Sequence, residues 1–209
     1  MAWDQARLAR LLRNEADSSG RRRITTILEY LDLQSGDRVL DCGCGLGWCL
    51  NVMGELFDCA LYGVDIDRAR LTRAANEIGP RSQLLAASAA HLPFLDDSVD
   101  KIVLSEVLEH VADDAAVLRE VYRVLRPGGV VAVTVPHRNY PFLWDPINRI
   151  RERLGRAPIR KGVLGGIWTD HLRLYDRQGL TDVVREAHLT VEDIRPLVHY
   201  CLPFAHNLV

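Results

Sequence analysis

The feature that most constrains the fold is a glycine-rich turn between an apolar segment and a helix. Residues 38–42 predict a buried strand, and a helix follows near 46–57. Gly43, Gly45 and Gly47 lie in the turn between them, where the lack of a Cβ permits positive φ angles and close approach of a ligand to the backbone. A strand, turn and helix in this order indicate the start of a parallel α/β sheet with a ligand site at the turn.

The same alternation of short apolar segments and helices continues along the chain. Further strands are predicted at 59–65, 83–87, 101–105 and 129–135, and further helices near 67–79, 113–125 and 176–187. The sequence therefore predicts an α/β fold with a Rossmann-like, doubly wound, mostly parallel sheet and helices on both faces. The sheet is of a seven-strand type whose last strands are weakly marked, and the segment 126–129 is interpreted as the turn before the fifth strand.

The length of 209 residues fits one domain, and 48% hydrophobic with 26% charged residues is typical of a globular protein. Within this domain we expect two N-terminal helices in 1–35, a cofactor-binding core in 36–136, an inserted lid in 137–172, and a C-terminal helix and strand in 173–209. The lid is expected because 136–172 is too long for an ordinary loop.

Charge and cysteine content limit the binding partners and the cellular location that we expect. With 26 basic and 28 acidic residues, the chain has no overall basic field, so nucleic acid is not an expected partner. No apolar run approaches the roughly 18–20 residues of a membrane-spanning helix, and no secretory signal is evident. The 5 cysteines are odd in number and three of them lie in one turn, which favours a reducing, cytoplasmic location.

Two carboxylates give the turn its chemical character. Asp41 lies beside the glycines, and a carboxylate suits a cationic amine or sulfonium better than a phosphate. Asp65, at the end of the second predicted strand, is placed to accept hydrogen bonds from both hydroxyls of a ribose, and Ile66 could pack against an adenine. A helix N-cap at Asp65 or Asp67 is the alternative interpretation. A dinucleotide fold would carry a third glycine where this chain has Trp48.

Four segments together resemble the class I S-adenosylmethionine-dependent methyltransferases, in the subfamily that includes quinone and sterol methyltransferases. They are the turn at 38–47, then His-Leu-Pro-Phe-Leu-Asp-Asp-Ser-Val-Asp at 91–100, Ser-Glu-Val-Leu-Glu-His at 105–110, and Val-Leu-Arg-Pro-Gly-Gly at 124–129. They cover 38–136, about half of the chain, in the family's order. The resemblance implies S-adenosylmethionine as methyl donor, with S-adenosylhomocysteine as product.

The resemblance also implies which residues bind the cofactor. The glycines would line its methionine and ribose, Asp41 would lie near its amino group, Asp65 would bind the ribose and Ile66 would contact adenine. Family members commonly carry an acidic residue where this chain has Ser88, so the contact to the adenine amino group is expected to be weaker here or to pass to the backbone. The implied cofactor-binding set is Asp41, Gly43, Cys44, Gly45, Gly47, Asp65, Ile66, Ser88, Ala89 and Ser105.

Methyl transfer from a sulfonium is an in-line displacement, so the enzyme mainly aligns the two reactants and excludes water. A hydroxyl acceptor also needs a base. The candidate catalytic residues are Glu106 and His110, after the fourth strand, and His137, after the fifth.

Glu106, Glu109 and His110 form an E-x-x-E-H motif that resembles the metal-binding motif of ubiquinone-pathway O-methyltransferases and small-RNA 2′-O-methyltransferases. His171 is the counterpart of a later histidine ligand in the RNA enzymes. Because the motif also occurs in members that bind no metal, the favoured interpretation is that Glu109 and His110 order the loop over the cofactor, and a metal is not the expected cofactor.

The inserted lid indicates which kind of acceptor the protein would bind. Leu143, Ile147, Ile150 and Leu154 recur at helical spacing. The cations near this apolar stripe are Arg149, Arg151, Arg153, Arg156, Arg160 and Lys161. A basic amphipathic helix suits a membrane surface or a lipid-like acceptor, so residues 142–161 are a candidate for peripheral membrane contact. Alternatively, the stripe packs on the sheet and the arginines are solvated. Both alternatives predict an apolar pocket, whereas the basic run at 21–23 is expected to be a solvated face.

The sequence thus predicts an S-adenosylmethionine-dependent methyltransferase that acts on a small or amphiphilic, lipid-like or quinone-like acceptor, with oxygen favoured as the methylated atom. Two alternatives remain from other classes: a catalytically silent module that binds the cofactor, and a metal-assisted 2′-O-methyltransferase of RNA. A nicotinamide-dependent oxidoreductase is disfavoured because the glycine spacing is G-x-G-x-G.

Overall fold

Two helices precede the sheet, as expected from residues 1–35. The structure, a computed structural model, describes residues 4–14, 18–79 and 82–197. Helix α1 (Gln5–Leu11) begins at Asp4, whose side chain accepts hydrogen bonds from two backbone amides of the first turn and so satisfies donors that the helix leaves unpaired. Helix α2 (Ser18–Leu31) follows and buries an apolar stripe against the sheet.

The core alternates strands and helices in the predicted order. Its elements are β1 (Arg38–Cys42), α3 (Trp48–Leu56), β2 (Ala60–Asp65), α4 (Arg68–Glu77), β3 (Ser82–Ala86), β4 (Val99–Ser105), α5 (Asp114–Val124) and β5 (Leu125–Thr134). The strands form one sheet in the order β3-β2-β1-β4-β5, and all four pairings are parallel. The predicted α/β fold class is confirmed.

Both faces of the sheet are covered by helices. Because neighbouring residues of a strand point to opposite sides, each strand contributes side chains to two buried clusters. Val39 and Val103 pack in one buried cluster with α2 and α3. Leu40 and Ile102 pack in a second cluster with α5 and with α7 (Arg177–Glu186). This arrangement brings the carboxyl ends of all strands to one edge, where the glycine turn lies.

Strand β5 begins earlier than predicted. Residues 126–129 were expected to form a turn before this strand, but they belong to it. They interrupt the regular pairing with β4 opposite Asp100. At this irregularity the Asp100 carboxylate is nearly buried and forms ion pairs with Arg38 at 3.1 Å and with Arg126 at 2.7 Å. These cations lower the pKa of Asp100, whereas its burial acts in the opposite direction.

The segment 137–172 folds around two buried polar residues. It contains helix α6 (Pro146–Arg153) between two 3-10 helices, Phe142–Trp144 and Val163–Trp168. The Asn148 amide donates to Asp145 Oδ2 at 2.8 Å and to the Gly165 carbonyl at 3.0 Å, and it accepts from the Ile159 amide at 2.7 Å. The segment is therefore closed on itself by side-chain hydrogen bonds rather than by a strand.

The predicted C-terminal strand is not found in residues 187–197, and residues 198–209, which include Cys201, lie outside the described residues. No described helix combines the length and the apolar character that crossing a membrane requires.

Candidate active site

The glycine turn provides bare backbone at the carboxyl end of β1. Gly43 has a φ of 83° and its amide donates to the Val64 carbonyl at 2.7 Å. A Cβ at this position would overlap the Val107 side chain, so only glycine fits. Above Gly45, by contrast, a Cβ would meet nothing closer than the Arg70 guanidinium at 3.9 Å. The backbone at Gly45 is therefore open to a ligand.

Asp65 links the turn to the second strand. Its Oδ2 accepts from the Gly45 amide at 2.8 Å, and its Oδ1 accepts from the Asp67 amide at 2.8 Å. Each oxygen keeps a lone pair for a further donor, such as a ribose hydroxyl. The N-cap of α4 is Asp67, so the alternative in which Asp65 caps this helix is wrong. Beside it, Ile66 is 78% exposed, and this apolar side chain offers a surface for a flat ring.

Asp41 is an acidic group held in the core at the base of the turn. It is 3% exposed, and burial, together with the negative charge of Asp65, raises its pKa to about 7. A cationic ligand group nearby would favour the ionised form. Asp41 and Asp65 thus place two acidic groups at the base of the turn.

Four other expected cofactor contacts differ in the groups that they can offer to a ligand. The Cys44 side chain packs in the core under Gly63, so this residue can present only its backbone to the turn. Ser88 Oγ accepts from the Ala90 amide at 3.2 Å, and its hydroxyl keeps a donor and one lone pair. Ala89 is partly buried, and Ser105 Oγ lies 2.9 Å from Thr134 Oγ1 at the end of β4.

Glu106 is held rigidly just after β4. Its φ is 55°, a strained value for a residue other than glycine. Thr134 Oγ1 donates to Glu106 Oε1 at 2.9 Å, and Arg23 Nη1 lies 3.3 Å from Oε2. Such strain at a fixed polar side chain is typical of functional sites.

Arg23 corrects an expectation, because the basic run at 21–23 was predicted to be solvated. Its side chain is 25% exposed and reaches the site from α2. The signal was present in the sequence, since Arg23 lies four residues before the buried Ile27 and so falls on the buried face of α2.

The other part of the E-x-x-E-H motif forms a separate cluster. Glu109 is fully buried and neither of its oxygens has a hydrogen-bond partner; burial and the charge of Glu106 raise its pKa to about 8. His110 Nε2 lies 3.9 Å from Glu109 Oε1, and the rings of His110 and His171 are 4.7 Å apart. Of the four candidate metal ligands, the structure brings Glu109, His110 and His171 together. The Glu106 carboxylate is instead hydrogen-bonded to Thr134.

A groove of about 1510 Å³ runs along the outer edge of β5. Apolar β5 side chains line it, together with Glu106, His137 and His171, so residues from three predicted functional segments border one space. His137 Nδ1 accepts from the Asn139 amide at 3.0 Å, which leaves Nε2 as the protonated nitrogen in the neutral ring. An apolar pocket was predicted, and this groove is the candidate for it.

The apolar stripe of the inserted segment points outward. Leu143, Ile150 and Leu154 are 66%, 49% and 65% exposed, whereas Asn148 of the same helix is fully buried. Ile147, the fourth residue of the stripe, is partly buried. Three of the four stripe residues therefore do not pack on the sheet, contrary to that alternative. Helix α6 turns its polar side inward, where Glu152 accepts hydrogen bonds from Tyr140 and Trp168.

Comparisons with known proteins show which family the sequence resembles. Residues 40–133 match the family described as "Methyltransferase domain". The chain is 36% identical over 122 residues to the methyltransferase GfsG of Streptomyces halstedii, an alignment that covers 55% of this chain and 43% of that protein. It is 31% identical over 182 residues to the 27-O-demethylrifamycin SV methyltransferase of Amycolatopsis mediterranei, covering 83% of this chain and 61% of the relative.

The chain thus spans less than two thirds of the length of these relatives. Among solved structures, the YcgJ protein of Bacillus subtilis superposes with a TM-score of 0.64 at 23% identity, covering 83% of this chain and 70% of that one. This structural likeness concerns the fold alone.

Proposed function

This chain belongs to the class I S-adenosylmethionine-dependent small-molecule methyltransferases, and we propose that it transfers the cofactor's methyl group to an oxygen of a small or amphiphilic acceptor. The observation that carries the proposal is the open backbone at Gly45, tied to the Asp65 carboxylate by a 2.8 Å hydrogen bond. A crevice with bare backbone and two carboxylates accommodates a sugar and a cationic sulfonium.

In the proposed complex, each end of the cofactor meets a matching group. Asp65 accepts hydrogen bonds from the ribose hydroxyls, and the exposed Ile66 side chain packs against the adenine. The negative charge of Asp41 favours the ammonium and sulfonium groups, while the Ser88 hydroxyl is the polar group near the adenine edge. These roles are those that the family resemblance assigns to the same positions.

The proposed reaction is a single displacement. The acceptor oxygen forms a bond to the methyl carbon as the carbon–sulfur bond breaks, and the electron pair of that bond neutralises the sulfonium. The hydroxyl proton passes to a base, and Glu106, whose carboxylate borders the groove, is the first candidate. Thr134 and Arg23 hold this carboxylate in place, while His110 and His137 remain candidates for the same task.

An amphiphilic acceptor is supported by the outward face of the inserted segment. Ile150 and Leu154 are exposed beside the exposed cations Arg153, Arg156 and Lys161. Apolar side chains with a cationic rim suit the surface of an anionic lipid layer. We therefore include peripheral membrane contact through residues 142–161 in the proposed function, together with the cytoplasmic location expected from the cysteines. The name of the rifamycin relative supports oxygen as the methylated atom.

The test has two stages. Calorimetry with S-adenosylhomocysteine measures cofactor binding, and mass spectrometry of extract incubated with methyl-labelled cofactor identifies the product that gains the label. We expect binding with one site per chain and a labelled small molecule. Absence of binding contradicts the whole proposal. Tight binding without any labelled product supports a silent module, and label in RNA supports the alternative acceptor.

A further inference from the structure

One face of helix α4 packs against the glycine turn. A Cβ at Gly47 would lie 2.8 Å from Ile78 Cγ2 and 3.3 Å from the Cβ of Ala74, so these two side chains contact the turn closely. Arg70 lies one helical turn before Ala74, and positions four apart share a face of a helix. The same packing therefore brings the Arg70 side chain to the glycine turn, at Gly45.

The Arg70 guanidinium borders the open side of Gly45. Its Nη1 lies 3.9 Å from the position that a Cβ of Gly45 would take, and no other described side chain lies as close to that position. The amide of the same glycine donates to Asp65 Oδ2 at 2.8 Å. A cationic donor and a carboxylate acceptor therefore meet at one residue of bare backbone.

Arg70 has hydrogen-bond donors available for a ligand. Its Nε lies 3.6 Å from Asp67 Oδ2, whereas Asp67 Oδ1 accepts from the first amides of α4. Within the described part of the chain, Nη1 and Nη2 form no hydrogen bond. The Arg70 side chain is 63% exposed, and an exposed ion pair contributes little to stability. The guanidinium can therefore turn from Asp67 to a ligand at little cost.

We propose that Arg70 is a further cofactor-binding residue, whose guanidinium donates hydrogen bonds to the ribose hydroxyl oxygens of S-adenosylmethionine. This inference rests on the proposed function, because it takes the ribose to lie at Asp65. Each ribose hydroxyl has one proton to donate and lone pairs to accept another. The Asp65 carboxylate only accepts and the guanidinium only donates, so the two side chains together match both capacities of the two hydroxyls.

The carboxylate of the cofactor's methionine is the other group that a guanidinium would bind. The ribose is favoured because the glycine that Arg70 borders is hydrogen-bonded to Asp65, the carboxylate to which the proposed function assigns the sugar. The two groups can be separated experimentally, because 5′-methylthioadenosine has the ribose and the adenine of the cofactor but no amino acid.

The test measures the affinity of the full chain for two ligands by calorimetry. One is S-adenosylhomocysteine, and the other is 5′-methylthioadenosine, measured by displacement of the first if it binds weakly. Arg70→Ala is expected to weaken the binding of both ligands by a similar factor of about 5–20, as for a charge-assisted hydrogen bond that solvent partly screens. The matched control is Arg73→Ala, which removes the same charge from an exposed position of the same helix and should leave both affinities unchanged.

Circular dichroism of each variant shows whether it folds. Absence of binding to the folded wild-type protein contradicts the proposed function and this inference with it. Wild-type binding that Arg70→Ala leaves intact overturns the role of Arg70 alone. A loss confined to S-adenosylhomocysteine overturns the ribose contact in favour of the methionine carboxylate. An equal loss in Arg73→Ala also overturns the proposal, because it shows a general effect of charge.

Discussion

Asp65 Oδ2 accepts a hydrogen bond from the Gly45 amide at 2.8 Å, so the end of β2 holds the turn that follows β1. This contact adds to the backbone hydrogen bonds from the Gly43 and Cys44 amides to the Val64 carbonyl, at the edge where ligands bind in parallel sheets. It keeps the turn in a ligand-accepting conformation before a cofactor arrives, which reduces the entropy that binding must overcome.

The first prediction concerns that contact. Asp65→Ala removes an acceptor of charge-assisted hydrogen bonds. Because even one such bond is worth roughly 1.5–3 kcal/mol, we expect S-adenosylhomocysteine to bind at least about 10-fold more weakly. Calorimetry measures the change. The control is Asp67→Ala, which removes the α4 N-cap and lowers the free energy of unfolding by about 1 kcal/mol. Equal losses of affinity in the two variants would show that Asp65 acts only through the fold.

The second prediction follows from the raised pKa of Asp41, about 7 in the folded protein. Because the folded pKa lies above the ordinary aspartate value of 3.8, this group lowers the stability of the free protein as pH rises from about 4 to 7. A cationic ligand favours the ionised form, so cofactor affinity should rise over pH 6 to 8. Calorimetry across this range should show the rise in the wild-type protein and a flatter profile in Asp41→Asn. A parallel slope in both proteins would exclude Asp41 as the titrating group.

The third prediction concerns the buried Asn148. Replacement by alanine leaves the Ile159 amide and the Gly165 carbonyl without their partner. We therefore expect the stability of the inserted segment alone to fall by roughly 2–4 kcal/mol. Hydrogen exchange should show lost protection in residues 142–168, with the core unchanged. Asn139→Ala, which removes an exposed amide of the same segment, is the control and should leave exchange as it is. Uniform loss of protection across the chain would contradict a local role.

The fourth prediction tests the outward apolar side of α6. The protein should sediment with phosphatidylserine-containing vesicles and not with neutral phosphatidylcholine vesicles. The double variant Ile150→Glu with Leu154→Glu should reduce this binding at least about tenfold, because two apolar side chains can no longer be buried in lipid. Leu95→Glu alters a leucine that is 80% exposed outside the segment and serves as the control. Binding that survives the double variant, or a dimer of the wild-type protein that this variant dissolves, would show that the surface meets something other than lipid.

Local patterns were enough to predict the sheet and the glycine turn at its edge. Val39 and Leu40 are apolar in succession because both faces of β1 are covered, and such runs predict parallel strands. Gly43 could be expected at a positive φ because the turn must be tight. The position of Asp65 also followed from its place at the end of a strand, since parallel neighbouring strands bring their carboxyl ends together.

The order of strands and helices and the chemistry of the turn could be predicted from local patterns, because both depend on residues close together along the chain. Three further relationships join residues that are far apart along the chain, so they emerge only from the folded arrangement. The fold pairs Arg23 with Glu106, places His171 beside Glu109, and turns the polar side of α6 inward. Helical spacing fixes which side chains share a face, but not which face is buried. Here Asn148 decided it, because its amide satisfies backbone groups 11 and 17 positions away that would otherwise be buried without partners.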